Sequence, residues 1–287
     1  MQINNKDIEL HNKKHLEQLE QNPEFIFKPR IKTLDYFQKK VKRIHGKVLD
    51  IGAGNGYASI WLAKNSDAEK IICLENSKAA VEKLIPSNIK YHKVDNIVEA
   101  KIGSFEDLRF KDYFDFIISF GSIHHSNCLL TCMLSIFNSL KKDGYLIMNE
   151  PSMNNFVSNE DYIKKYNSDE IFQGKKIKNF ERNDKFYREA EYIVSAVYSG
   201  FDLKHMKYEK QDLVDFDKKF QATKYLLRNK KLFILLKKIF SFPFKIIKKT
   251  LFNKKKETSN KSGARPTIFF FQKKINNYIP HLWDKLK

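Results

Sequence analysis

The chain has 287 residues, 42% of them hydrophobic, which supplies enough apolar surface for a large folded domain and excludes a globally disordered chain. Its formal charge of +19 excludes an acidic surface and points to an anionic partner such as nucleic acid, phospholipid or a phosphorylated substrate. The three cysteines, Cys73, Cys128 and Cys132, exclude a disulfide framework, and two of them four residues apart do not make a structural zinc site, so no metal is expected.

Taken in chain order, residues 8 to about 45 are predicted as helices with a break near Pro23 to Pro29. Ile31, Leu34, Phe37, Val41 and Ile44 fall on one helical face. The first residues lack the apolar stretch of a signal peptide, and no run of 18 apolar residues occurs, so a cytoplasmic protein is expected. Lys47–Ile51 is a short apolar run followed by glycines, as a buried strand ends in a turn to a helix. Ala58–Lys64 then reads as a helix, Lys70–Glu75 as a strand, and Ser77–Leu84 as a helix that Pro86 stops. Strands follow at Val98–Ile102, Phe114–Phe120 and Tyr145–Asn149, with a helix at Leu129–Lys141. Residues 151–185 read as irregular and polar, Glu189–Ser199 as a helix, and Phe201–Tyr208 and Pro266–Gln272 as the last strands. This alternation predicts an α/β domain, a mostly parallel sheet with helices on both faces. It spans residues 46–287, with an N-terminal helical cap at 1–45 and a basic helical insertion at about 212–262 before the last strand.

The sharpest motif is Asp50-Ile51-Gly52-Ala53-Gly54-Asn55-Gly56, with Glu75 ending the next strand. Glycines at such a turn let the backbone approach a ligand closely. An acid ending the second strand accepts hydrogen bonds from both hydroxyls of an adenosine ribose. The spacing G-x-G-x-G departs from the dinucleotide pattern G-x-G-x-x-G, whose third position here is Tyr57. Asp50 also sits badly beside a pyrophosphate and well beside a cationic ligand such as S-adenosylmethionine (SAM).

On these residues the chain resembles the class I SAM-dependent methyltransferases, particularly the type 11 group, from about Gly46 to Pro151. VLDIGAGNGYAS, the LE at 74–75, GSFEDLRF at 103–110, FDFIISFGSIHH at 114–125 and LKKDGYLIMNEP at 140–151 carry the resemblance. It implies a Rossmann-like seven-stranded sheet whose last strand is antiparallel, with SAM at the carboxyl ends of the first strands. Asp50, Gly52 and Gly54 would line the methionine end and Glu75 the ribose; Phe105 and Glu106 would border the adenine, and Ala53, Asn76 and Ser119 complete the cofactor set. The family often places an acid where Ser104 stands, which puts the adenine contact through Ser104 in question.

Methyl transfer from a sulfonium chiefly requires alignment of the acceptor and exclusion of water, and a hydroxyl acceptor also needs a base within reach. Candidates at strand ends are His124, His125 and Glu150, with histidine the natural choice near neutral pH; a structural role for the two histidines, packing over the methionine end of SAM or bonding to backbone, is the alternative. Phe25, Phe27 and Tyr36 in the cap read as core packing or as a cover over the acceptor.

Residues 224–261 hold 13 Lys or Arg and one acid, Glu257. Lys224, Lys231, Lys238 and Lys245 recur every seven residues beside Leu232, Phe233, Leu236, Ile239, Phe240 and Phe244. A lysine face beside an apolar face describes a helix lying on an anionic membrane surface. Packing on its own domain, a partner protein and RNA phosphates are the alternatives, and Arg228 alone offers a guanidinium there. The expected function is methyl transfer to a hydroxyl of a glycan or lipid-linked small molecule at a membrane. An RNA methyltransferase and a non-catalytic binding module are the competing readings, and nucleic acid is the less favoured partner.

Overall fold

The computed structural model describes residues 23–172, 175–178, 185–208 and 265–274. The first part of the predicted cap and the whole basic insertion lie outside these described residues.

Seven strands form one sheet in the order β3-β2-β1-β4-β5-β9-β8. They are β1 (His45–Ile51), β2 (Asp67–Glu75), β3 (Val98–Ile102), β4 (Phe114–Phe120), β5 (Leu140–Ser152), β8 (Phe201–Tyr208) and β9 (Arg265–Lys273). β1 to β5 pair in parallel, while β9 runs antiparallel to both β5 and β8. The sheet is therefore Rossmann-like, with the last strand alone reversed. β6 (Asp169–Phe172) and β7 (Lys175–Lys178) make a separate hairpin.

Both faces of the sheet are buried, and alternate residues serve each. Val48, Phe116, Ile118, Ile147 and Phe270 face one core, which α1 (Pro23–Lys40), α2 (Tyr57–Asn65) and α3 (Ile85–Tyr91) cover. Leu49, Ile51, Ile117, Met148 and Phe271 face the other, covered by α4 (Leu129–Ser139) and α6 (Glu189–Tyr198). This explains the near-continuous apolar runs of the central strands. α1 joins the core through Leu34 and Phe37, and Tyr36 stacks on Phe270 with ring centroids 6.1 Å apart, so that aromatic packs into the domain.

The structure corrects three expectations. α1 runs through Pro29 without a break, because one lost backbone hydrogen bond is outweighed by the burial of Leu34 and Phe37 downstream. Pro86 does not stop its helix; it lies in the first turn of α3, directly after a π-helical turn at Ala80–Leu84. There the ordinary ladder is already interrupted, so the missing N–H costs nothing extra. The stretch read as irregular holds α5 (Asn159–Tyr166), which Ser158 caps by accepting the Asp161 N–H at 3.0 Å, and the β6–β7 hairpin.

Phe37 is fully buried, with ring centroids 4.9 Å from Phe270 and 5.3 Å from Tyr145. Phe37→Ala is expected to cost roughly 3–5 kcal/mol in urea unfolding and to expose α1 to limited proteolysis before the sheet.

Candidate functional site

The carboxyl ends of β1, β2, β4 and β5 meet at one edge, where Ile51 pairs with Leu74 and Ser119, and Phe120 with Asn149. The turn after β1 is built on glycine. Gly52, Gly54 and Gly56 have φ of +63°, +59° and +77°, a region that a side chain disfavours. At Gly52 a Cβ would lie 2.3 Å from the Ser122 Cβ, so the turn packs directly on the exit of β4. At Gly54 a Cβ would meet no atom within 4 Å: that residue faces open space.

Glu75 shapes this turn. It is half-buried, and one carboxylate oxygen accepts the Gly54 N–H at 2.9 Å while the other accepts Asn76 N–H at 2.8 Å and Ser77 N–H at 3.2 Å. It points at the loop mouth, with lone pairs left for further donors. Asp50 is 2% exposed and accepts the Ser59 hydroxyl from α2 at 2.8 Å. Burial pushes its carboxyl up to about 7, against the pull of Ser59 and of the Arg30 guanidinium. A cationic ligand beside this turn would restore the charge that burial disfavours.

The other predicted residues divide. Ala53 belongs to the turn, and its N–H bonds the Leu74 carbonyl at 3.1 Å. Ser104 accepts the Glu106 N–H at 3.2 Å. The Glu106 carboxylate accepts N–H bonds from Asn127 and Cys128 at the start of α4, and the Asn127 amide at 3.0 Å, so it ties the adenine-side loop to that helix. Phe105 packs on the core that α4 covers. Ser119 is fully buried, its hydroxyl on Glu150 at 2.6 Å.

Glu150 is fully buried, and donors surround it. One oxygen accepts Ser119 Oγ at 2.6 Å, Ser122 N–H at 3.0 Å and Ile123 N–H at 3.2 Å; the other faces His124 Nδ1 at 2.8 Å. Burial opposes its charge, but the bonds from His124, Ser119 and Ser122 outweigh burial and hold it below the usual carboxylate range. His125 lies against His124, ring centroids 3.9 Å apart.

Three features were not anticipated. Arg30 of α1 reaches this edge, its Nη2 3.3 Å from where a Cβ would stand on Gly121. Its signal was present: Arg30, Leu34 and Phe37 share a helical face, and an arginine on an apolar stripe is unusual. Ser122 locks the turn, donating to the Ile51 carbonyl at 2.8 Å. The strap at 185–188 crosses the site: Lys185 N–H bonds the His124 carbonyl at 3.3 Å, and the Lys185 ammonium and the Tyr187 hydroxyl both bond the Ser126 carbonyl. Among the described residues, no three His, Cys, Asp or Glu side chains converge to hold a metal ion.

The methyltransferase domain family matches residues 43–211. This chain belongs to that family. It carries a class I, SAM-dependent methyltransferase domain. An uncharacterized methyltransferase from Staphylococcus carnosus is 27% identical over 134 residues, 44% of this chain and 58% of that protein. Geranyl diphosphate C-methyltransferase from Streptomyces coelicolor A3(2), solved with Mg2+, geranyl diphosphate and S-adenosyl-L-homocysteine, has the same fold. Its TM-score is 0.58 at 11% identity, over 85% of this chain and 79% of that one. Phosphoethanolamine N-methyltransferase 2 from Haemonchus contortus, solved with SAM, gives a TM-score of 0.54 at 15% identity, over 85% of this chain and 52% of that one. The chain spans only 24% to 58% of the length of the curated relatives it matches.

The turn fits SAM. Gly54 faces open space where a Cβ would intrude on a ligand, the buried Asp50 carboxyl would gain charge beside a sulfonium or ammonium, and Glu75 keeps carboxylate lone pairs for ribose hydroxyls. Gly52→Ala is expected to destabilise the fold by roughly 2 kcal/mol or more in thermal unfolding, because clash and φ act together. Gly54→Ala is expected to cost about 1 kcal/mol of stability yet cut SAM affinity more than tenfold in calorimetry.

Asp50 makes SAM affinity pH-dependent. The ionised carboxylate favours the cation, so affinity should rise with pH and level off above about 7, the value to which burial pushes Asp50. Because this acid is raised on folding, wild-type stability should also fall from ~4, its unfolded value, up to that same pH. Asp50→Asn should flatten both profiles, read by calorimetry and thermal unfolding.

Proposed function

We propose that the protein transfers a methyl group from SAM to a hydroxyl of a glycan or lipid-linked small molecule, working at the cytoplasmic face of an anionic membrane. SAM supplies an electrophilic methyl on a sulfonium. The residues of this chain bind and orient: Glu75 holds the ribose, the Gly52–Gly54 turn admits the methionine end, and Arg30 faces the same end. His124 and His125 stand at the exit of β4 to receive the proton of the acceptor hydroxyl. The strap carrying Lys185 and Tyr187 closes that side against water.

The observation that carries the acceptor reading is where the basic insertion joins the fold. Tyr208 ends β8 opposite Thr267, and Arg265 opens β9 opposite Ser152 of β5. The Arg265 guanidinium lies over the Tyr208 ring, 4.6 Å from its centroid. Tyr208 and Arg265, the described residues on either side of the insertion, therefore both lie at the carboxyl edge of the sheet. The insertion's lysine and apolar faces suit a lipid surface. Phe156, 93% exposed, follows β5 from the same edge.

The test uses radiolabelled SAM with fractionated cell extract. Label should enter the lipid or glycan fraction; label in RNA or protein instead would replace the acceptor reading. Deleting residues 224–256 should abolish flotation with phosphatidylglycerol vesicles and leave SAM affinity within about twofold.

A further inference from the structure

We infer that Arg30 reads the amino-acid end of the cofactor: its guanidinium takes the methionine carboxylate and so sets the preference for SAM over adenosyl thioethers that lack one. The inference rests on the cofactor half of the reading above and deepens it; the acceptor half does not enter.

The packing of α1 places the guanidinium. Arg30 Nη2 lies 3.3 Å from the point where a Cβ would stand on Gly121, the first residue after β4. Gly121 has φ +68°, and its N–H bonds the Asn149 carbonyl of β5 at 3.0 Å. One turn further along α1, the Thr33 hydroxyl accepts the Asn149 side-chain amide at 3.2 Å, and Leu34 and Phe37 beyond it are fully buried. The helix is therefore pinned to the ends of β4 and β5, and the half-buried Arg30 stands at that exit. Its charge also reaches β1. Burial is the larger effect on the Asp50 carboxyl and raises it, but the Arg30 guanidinium pulls the other way, toward ionisation. One cation thus serves both the β4 exit and the acid that precedes the glycine turn.

Chemistry then selects the group it meets. The amino-acid end of SAM is a zwitterion, an ammonium beside a carboxylate, and a complementary site needs one charge of each sign. Asp50 suits the ammonium. The carboxylate needs a cationic donor, and Arg30 brings one to the same edge. A guanidinium has five N–H donors and no acceptor, so it keeps a contact within the protein and still presents two parallel N–H groups to a carboxylate. A lysine would supply the charge without the fork.

The test compares two ligands on the full chain by calorimetry: S-adenosylhomocysteine, and S-adenosyl-3-thiopropylamine, which is the same molecule without its carboxylate. The native chain should favour the first by about 10- to 100-fold, the size of a charge-assisted pair. Arg30→Gln should weaken S-adenosylhomocysteine by that factor and leave the amine nearly unchanged, so that the preference disappears. Arg30→Lys should retain part of it. Thermal unfolding without ligand reports whether each variant keeps the fold. If Arg30→Gln does not, Arg30→Lys decides by the same ratio, which should narrow. A native chain that binds both ligands equally, a preference that survives the substitution, or equal losses for the two ligands would each overturn the inference and leave the cofactor reading standing. A native chain that binds neither ligand would sink that reading and the inference together.

Discussion

Three acids stand near the carboxyl ends of β1, β2 and β5, and the edge of the sheet is organised by how each is satisfied. Asp50 receives one hydroxyl and the distant pull of Arg30, so burial dominates and its charge is held weakly. Glu75 is half-buried and holds the glycine turn by its backbone N–H groups. Glu150 is the most deeply buried, yet it is fully surrounded by donors and keeps its charge. Removing a buried charge's partners costs far more than the pairing contributes. The hydroxyls and N–H groups around these acids therefore cannot drift independently, and the turn after β1 and the exit of β4 act as one piece.

That coupling passes through small residues. Gly52 lies against Ser122, Ser122 against Ser119, and Ser119 against Glu150. A side chain added anywhere in this series pushes on both the cofactor half and the acceptor half. The arrangement keeps the turn after β1 and the exit of β4 at a fixed spacing, and fixed alignment is the main requirement for an in-line displacement.

Much of this was legible in the sequence because it is local. The apolar runs at Val48–Ile51, Phe114–Phe120 and Tyr145–Asn149 declare doubly covered strands, and the acid–glycine run declares the turn. What stayed hidden depends on contacts between distant residues. The surroundings of Glu150 are of that kind, since its hydrogen-bond partners Ser119 and His124 lie 26 to 31 positions away. Arg30 was lost among basic residues, although its place on the Leu34–Phe37 face marked it. Pro29 and Pro86 misled for a different reason: the rule that proline breaks helices assumes an intact ladder and no compensating burial, and each site violates one assumption.

The pairing of Tyr208 with Thr267, two residues into β9, means that the chain leaves the sheet and returns to it at neighbouring points. Whatever joins such adjacent ends enters the free energy of folding mainly through loop closure, which grows only by about 0.6 kcal/mol for each doubling of length. The connection between β8 and β9 can therefore be lengthened or exchanged, in evolution or by engineering, at little cost to the sheet that carries the glycine turn.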